Sequence, residues 1–183
     1  MPSAAEIRAH LTGSACLWDV RSEEEVSSTS DELKRTVVAG VPLALFADHQ
    51  TKGRGRRENV WTAPRGVDVM MSLAWRPAAP TAFWPRATSL AALAVCEAIE
   101  TEVPLEAKIK WPNDILIGGK KVAGLLAETS SPGGTSQLVL GIGVNVNNKA
   151  FPTELQNSAT SLLLELRGRT AREIDRSSFA AQL

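Results

Sequence analysis

Short strand-like segments with tight turns between them run through the second half of this 183-residue chain. Gly118 and Gly119 separate two such segments and form a typical two-residue hairpin turn. Such a turn joins antiparallel strands, whereas a doubly wound parallel sheet needs a helix between successive strands. The pattern therefore predicts one α+β domain, with a mixed, largely antiparallel sheet and helices packed on one face.

The individual elements follow from apolar spacing and from turn residues. Strands are predicted over 15–20, around 25–26, and over 43–47, 69–75, 107–110, 115–117, 121–128 and 137–146. Helices are predicted over 4–11, 29–40, 85–100 and 161–167, and a last one begins at Asp175 or Ser177 and runs to Leu183. A capping box from Thr29 to Glu32 opens the second helix. The segment 50–66 has no periodicity, and its seventeen residues are more than a compact domain usually spends on a loop without a function.

The charge balance excludes several classes of protein. Lys and Arg together number 20, as do Asp and Glu, and 44% of the residues are hydrophobic. A neutral chain argues against a general nucleic-acid binder or a membrane-surface protein, whose charge would be lopsided. The sequence has neither an apolar run of membrane-spanning length nor the apolar core of a signal peptide, so a cytoplasmic location is expected.

Cysteine and histidine usage bounds the metal and redox chemistry. Cys16 and Cys96 are far apart in apolar surroundings, which predicts two buried free thiols in a reducing compartment. The only histidines are His10 and His49, and neither CxxC nor HExxH occurs. The sequence therefore predicts no metal site built from protein ligands.

A basic, glycine-containing loop is the first candidate binding element. Lys52, Arg54, Arg56 and Arg57 bring four cations into six residues, and glycines alternate with the arginines. An isolated basic run is equally consistent with a solvated loop or a nucleic-acid contact. The alternating glycines and the following Trp61 favour a small ligand, because guanidinium groups bind phosphate oxygens and an indole stacks on a flat ring such as adenine.

A second polar cluster follows the strand predicted to end at Lys110. Trp111 and Pro112 exclude a helix or a central strand there, and Asn113 and Asp114 come next. Lys110 is consistent with an ordinary surface lysine at a strand end. It is equally able to hold a carboxylate against a phosphate and to stabilise the charge that develops between them.

The remaining motifs are weaker. The glycines of 141–147 fit close packing as well as ligand approach, and Ser28 and Thr29 fit helix caps as well as ligand contacts. The sequence contains no dinucleotide fingerprint, no phosphate-binding P-loop and no evident Ser/His/Asp or Cys/His set. The residues alone thus indicate a phosphate- and carboxylate-binding site that works by positioning and electrostatics.

Taken in order, these motifs resemble those of the biotin protein ligase family. The resemblance covers about residues 15–165 and rests on Ser27–Ser30, His49–Arg57 with Trp61, the KWPND segment Lys110–Asp114, Lys121–Leu126 and Gly141–Asn147. It implies the fold of class II aminoacyl-tRNA synthetases. It also implies a reaction in which biotin and MgATP give biotinyl-5′-AMP, followed by transfer of biotin to a lysine of a biotin carboxyl carrier protein.

The resemblance also implies residue roles. Lys110 and Arg56 are expected to be catalytic. Biotin would be bound by Ser28, Thr29, Ser30, Gln50, Arg54, Gly55, Arg56, Lys110, Gly124 and Leu126. The nucleotide would be bound by Arg54, Arg57, Trp61, Asn113, Lys121 and Asn145. A serine at 30 replaces the asparagine of many relatives, and Glu58-Asn59 replaces a Gly-Arg pair, which predicts a looser hold on the adenylate.

Expectations for domains and partners follow from the same resemblance. About 15 residues precede the matching region, so no winged-helix domain and no DNA binding are expected, and the small C-terminal β domain of relatives is expected to be absent or truncated. The expected partner is the biotin carboxyl carrier domain of a carboxylase, no membrane contact is expected, and a homodimer stays open because relatives commonly form one. Two rivals also stay open, a lipoate or octanoate ligase of the same fold and a non-catalytic protein that binds biotin or its adenylate.

Overall fold

A seven-stranded sheet forms the centre of the molecule in the computed structural model, which describes residues 2–166 and 172–183. The strands are β1 (Asp19–Val26), β2 (Leu43–Gln50), β3 (Val69–Trp75), β4 (Lys108–Lys110), β5 (Asp114–Ile117), β6 (Lys120–Ser130) and β7 (Gln137–Val144). Their order across the sheet is β1-β2-β3-β7-β6-β5-β4. Only β1 and β2 pair in parallel, and every other neighbouring pair is antiparallel. The predicted mixed, largely antiparallel sheet is confirmed.

The helices divide unequally between the two faces of this sheet. They are α1 (Ala4–His10), α2 (Thr29–Arg35), α3 (Arg86–Glu102), α4 (Leu162–Glu165) and α5 (Arg176–Gln182). Four of the five described helices add to one large core, in which Val95 and Phe179 are buried together with strand residues such as Phe46. Helix α2 packs on the opposite face, where its Leu33 joins Leu45 and other apolar residues. The prediction of helices on one face is wrong for α2, because the side chains of β2 are buried alternately on both faces.

Two local predictions near the N-terminus need correction. The segment predicted as a strand over 15–20 contains a short 3₁₀ helix, Gly13–Leu17, and β1 begins only at Asp19. Cys16 lies in that 3₁₀ helix and is exposed, so the prediction of a buried thiol is wrong there. Cys96 is buried on α3 as expected. Apolar neighbours in sequence had suggested burial for both, but burial depends on which face of an element packs on the sheet.

Helix termini differ from prediction by short distances. Ser28, and not Thr29, caps α2 by accepting a hydrogen bond from Asp31 N, and the helix ends before Thr36 instead of at Gly40. Asp175 caps α5, which selects the first of the two predicted starts. Helix α4 ends at Glu165, and Arg167, where the prediction placed its end, lies outside the described residues. Within the described ranges, no helix combines the length and apolar character needed to cross a membrane.

The face of the sheet that carries α2 also contains the candidate site. Leu45 and Val139 fill one part of this face with apolar bulk. Elsewhere on the face the strands carry small residues, which are Ser72 on β3, Gly141 and Gly143 on β7, and Gly124 on β6. These small residues leave open space above the centre of the sheet, and the loop after β2 and the turn after β4 border it.

Candidate active site

A cavity of about 360 Å³ lies above the small residues of the sheet. All ten residues predicted to bind biotin line it, from Ser28 on the α2 side to Leu126 on β6. Five of the six predicted nucleotide-binding residues line it as well, the exception being Asn145. The fold thus brings together residues that are almost a hundred positions apart in the chain.

Hydroxyl and amide groups form the polar floor of this cavity. Gln50 Oε1 accepts hydrogen bonds from the backbone N of Thr29, at 2.8 Å, and from its Oγ1, at 3.1 Å. Ser72 Oγ lies 2.8 Å from Thr29 Oγ1 and 2.9 Å from Ser30 Oγ. The residues are all buried or half-buried, so these hydrogen bonds offset the cost of taking polar groups out of water.

Arg54 of the basic loop is fixed by two carboxylates. Its guanidinium donates to Asp31 Oδ1 at 2.6 Å and to Glu128 Oε1 at 3.0 Å. Partial burial opposes ionisation of Asp31, but the hydrogen bond and charge of Arg54, together with Lys34, hold the Asp31 pKa below its ordinary value. The three elements α2, the loop and β6 are therefore tied together at the mouth of the cavity.

Arg56 and Arg57 are placed differently from Arg54. Arg56 is exposed and has a long 3.3 Å hydrogen bond to Asn113 Oδ1, while Asn113 itself donates to Leu125 O at 3.1 Å. Arg57 has a φ of 57°, in the left-handed region that only glycine adopts without cost. Both side chains line the cavity. Unlike Arg54, neither of them forms an ion pair with a carboxylate among the described residues.

Trp61 lies directly on the glycines of the sheet. A Cβ atom placed on Gly143 would be 2.6 Å from Trp61 Cε2, and one on Gly124 would be 3.1 Å from Trp61 Cζ3. The Lys121 ammonium group is 5.7 Å from the centroid of the indole, within range of a cation–π interaction. Trp61 Nε1 is buried and has no hydrogen-bond partner among the described residues. The indole is thus held by packing and retains one unused donor.

A second cavity, of about 700 Å³, adjoins the first. The two share Val60, Trp61, Lys110, Asp114 and Lys121 as lining residues. Asn145 lines the second cavity and donates from Nδ2 to Thr160 O at 2.9 Å. The predicted nucleotide-binding residues therefore border two adjacent cavities, and the tryptophan and the two lysines line both of them.

Lys110 and Lys121 differ in their charge partners. Lys110 ends β4 directly opposite Asp114 of β5 and is exposed. The Asp114 carboxylate forms its ion pair with Lys121, whose Nζ lies 2.7 Å from Asp114 Oδ1. The carboxylate of Asp114 thus balances the charge of Lys121, while Lys110 lines both cavities.

Several residues of the site were missed from the sequence. Asp31 and Glu128 hold Arg54, and Ser72 lies beneath the floor. Asp114 was noticed within the KWPND segment, but its ion pair with Lys121 was not predicted. Only Ser72 gave a local signal, since it is a lone hydroxyl in the otherwise apolar strand β3. The two carboxylates that hold Arg54 had none, because acidic residues at strand and helix ends are common and Arg54 is 23 and 74 positions away from them.

Comparisons with known proteins agree with this geometry. Residues 25–147 match the model of the biotin/lipoate A/B protein ligase family. The chain is 47% identical to the bifunctional ligase/repressor BirA of Bacillus subtilis over 165 residues, which cover 87% of this chain and 51% of BirA. It is 34% identical to the biotin–[acetyl-CoA-carboxylase] ligase of Mycobacterium tuberculosis over 165 residues, 86% of this chain and 60% of that protein.

A solved structure shows the same fold. The biotin protein ligase of Aquifex aeolicus, in complex with biotin and ATP, superposes with a TM-score of 0.75 at 34% identity and covers 90% of this chain and 66% of its own. The chain therefore belongs to the biotin/lipoate A/B protein ligase family. It spans about half the length of the Bacillus relative.

Proposed function

We propose that this chain carries the catalytic site of a biotin protein ligase, which activates biotin with MgATP and transfers it to a carrier lysine. The observation that carries the proposal is the pair of adjacent cavities that share Trp61, Lys110 and Lys121 as lining residues. One cavity has a polar floor suited to a small heterocycle, and the other adjoins it where the two substrates would meet. The Aquifex protein, of the same fold, was solved with both biotin and ATP.

The chemistry proceeds in two steps. In the first step, a carboxylate oxygen of biotin attacks the α-phosphorus of ATP, the new O–P bond forms, and the bond to pyrophosphate breaks. In the second step, the neutral amine of a lysine attacks the acyl carbon of biotinyl-5′-AMP. An amide bond forms, AMP leaves with the electrons of the broken C–O bond, and the amine loses a proton to solvent.

The polar floor would bind the head group of biotin. Thr29, Ser30 and Gln50 offer oxygen and amide groups with which a cyclic urea could form hydrogen bonds, and Ser28 adds a further hydroxyl. Gly124 and Leu126 line the same cavity and would pack on the apolar part of the ring system. Such a floor favours a ring with N–H and C=O groups over the plain acyl chain of octanoate, for which buried polar groups would be left without partners.

Cations around the boundary would stabilise the charge of the reaction. Lys110 lines both cavities and would contact both the biotin carboxylate and the α-phosphate, with attraction to both strongest as they join in the transition state. Arg56 would hold the same anions from the loop, and Arg54 would keep the loop in place through Asp31 and Glu128. A closed loop also excludes water from the mixed anhydride, which hydrolyses readily.

The nucleotide would occupy the boundary and the second cavity. Trp61 offers an indole face, Lys121 and Asn145 line the space, and Arg57 and Asn113 border it from the side of the first cavity. We infer that the acceptor is a lysine of a biotin carboxyl carrier domain. The name of the Mycobacterium relative, to which this chain is 34% identical over 165 residues, supports that acceptor.

The proposal is tested by offering MgATP with biotin, lipoate or octanoate in parallel and detecting the acyl-adenylate by mass spectrometry. Biotinyl-5′-AMP is the expected product, and the other two acids should give at most traces. Adenylation of lipoate or octanoate in preference to biotin would assign the site to the other branch of the family. Binding of biotin without any adenylate would point to a binding protein.

A further inference from the structure

Ser72 connects the two hydroxyl groups of the cavity floor from beneath. It is fully buried on β3, and its Oγ is 2.8 Å from Thr29 Oγ1 and 2.9 Å from Ser30 Oγ. The space for this arrangement comes from Gly141, which pairs with Ser72 across the sheet. A Cβ at residue 141 would lie 2.7 Å from Ser30 Oγ, so a larger residue there would displace the serine.

The direction of every proton in this cluster follows from one backbone group. The N–H of Thr29 is a donor only, so the Gln50 side-chain atom 2.8 Å away must be the oxygen Oε1. An amide oxygen only accepts, and Thr29 Oγ1 lies 3.1 Å from it, so Thr29 donates its hydroxyl proton to Gln50. Without that proton two oxygen atoms would face each other and repel.

The remaining protons are then assigned in turn. Thr29 donates its only hydroxyl proton to Gln50. In the 2.8 Å hydrogen bond between Thr29 Oγ1 and Ser72 Oγ, Ser72 must therefore be the donor. Because Ser72 donates its proton to Thr29, Ser30 must be the donor in the 2.9 Å hydrogen bond between Ser30 Oγ and Ser72 Oγ. The chain of hydrogen bonds runs in one direction, from Ser30 through Ser72 and Thr29 to Gln50.

We infer that Ser72 is a positioning residue which, by orienting these protons, makes Thr29 and Ser30 hydrogen-bond acceptors toward the ligand. Their remaining lone pairs suit ligand N–H groups, while the N–H groups of Gln50 Nε2 suit a ligand carbonyl. A cyclic urea carries two N–H groups beside one C=O group, which is the complement of this pattern. The inference rests on the proposed function and assigns part of its specificity to a residue below the cavity lining.

Ser72→Ala tests the inference because it frees the Ser30 proton without enlarging the side chain. Binding is measured by calorimetry for biotin and for a carbamate analogue in which a ring oxygen replaces one ureido N–H. The wild-type protein should bind the analogue at least about thirtyfold more weakly than biotin, because a ring oxygen faces a hydroxyl that only accepts. In Ser72→Ala, biotin should bind about tenfold more weakly. The ratio of the dissociation constant of the analogue to that of biotin should be at least about fivefold smaller than in the wild-type protein, because Ser30 can then donate to the ring oxygen.

A merely structural serine would not change that ratio. Ser177→Ala, at a buried serine on α5, is the control and should leave both affinities as they are. Ser72→Cys keeps a weak donor and should give a ratio of the two dissociation constants between those of the wild-type and alanine proteins. This variant can be measured even if the alanine variant does not fold. An unchanged ratio in both Ser72 variants, with biotin still bound, would overturn the role of Ser72 alone. Failure of the wild-type protein to bind biotin would overturn the proposed function, and this inference with it.

Discussion

Trp61 lies so close to Gly143 that a Cβ on the glycine would be only 2.6 Å from Cε2 of the indole. The same ring also covers Gly124 of the neighbouring strand. The loop that precedes β3 thus packs on the glycines of β6 and β7. These glycines are required for this packing as well as for close approach of a ligand to the sheet. The loop reaches across the sheet because these strands have no side chains at those two points.

Gly143→Ala should displace the indole and lower the free energy of unfolding by about 1–3 kcal/mol, the usual cost of forcing a methyl group into a packed site. The effect depends on Trp61. In a Trp61→Ala background the same substitution should cost less than about 0.5 kcal/mol, because the conflicting atoms are gone. Denaturant titration of the four proteins measures this coupling, and equal costs in both backgrounds would show that the glycine is required for another reason.

Lys110→Gln should lower the rate of biotin adenylation by about 10²–10³-fold, the typical effect of removing one group that stabilises transition-state charge. The affinity for biotin should change only a few-fold, because the polar floor supplies most of the head-group contacts. Lys108→Gln is a matched control, since Lys108 is on the same strand and pairs with Glu106 at 3.3 Å. Full activity of the Lys110 variant, measured by single-turnover adenylate formation, would remove Lys110 from the mechanism.

Arg54 and Arg56 should separate into a structural and a ligand-binding role. Arg54→Ala breaks the ion pairs to Asp31 and Glu128, at 2.6 and 3.0 Å, and should cost about 1 kcal/mol or less because the pairs are partly exposed. It should also speed protease cleavage within the loop. Arg56→Ala should leave stability and cleavage unchanged and raise the KM for ATP. The reverse assignment of these effects to the two arginines would contradict the geometry.

Asp68 should make the free energy of unfolding fall as the pH rises from about 4 to about 7. Burial raises its pKa to about 7, although the hydrogen bond from Val146 N and the charge of Arg176 act in the opposite direction. A carboxyl group with a raised folded-state pKa stabilises the protein fully below its unfolded pKa of about 4, and that contribution is lost as the pH rises through about 7.

Asp68→Asn removes this titration and keeps an oxygen that can accept from Val146. Relative to the wild-type protein, the variant should therefore become more stable as the pH is raised from about 4 to about 8. Thermal unfolding at a series of pH values measures the difference between the two proteins. A difference that does not vary with pH would mean that Asp68 is ionised throughout the range.

The sequence predicted the sheet and the binding motifs because both depend on local pattern. Gly118 and Gly119 turn one strand directly into the next, and the antiparallel pairing of β5 with β6 follows from that turn. The glycine–arginine loop is equally local, since its residues are consecutive. The individual residues that line the first cavity, such as Gln50 and Gly124, were located by the resemblance to the biotin protein ligase family and not by these local patterns.

Features that depend on distant pairing could not be predicted in this way. The Arg54 partners Asp31 and Glu128 are 23 and 74 positions away in the chain, and no local pattern joins them. The placement of α2 on the opposite face depends on both faces of β2 being buried. The apolar run of β2 predicts burial on both faces, but it does not indicate which element covers each face. The exposure of Cys16 likewise depends on packing outside its own segment.

Biotin-dependent exchange of labelled pyrophosphate into ATP tests the central proposal most directly, because it reports the reversible first step and needs no carrier protein. The two adjacent cavities predict exchange that requires biotin, saturates with it, and is lost in Lys110→Gln but retained in Lys108→Gln. Absence of exchange from a folded wild-type protein that binds both biotin and ATP would contradict the account, since the cavities would then hold the substrates without joining them.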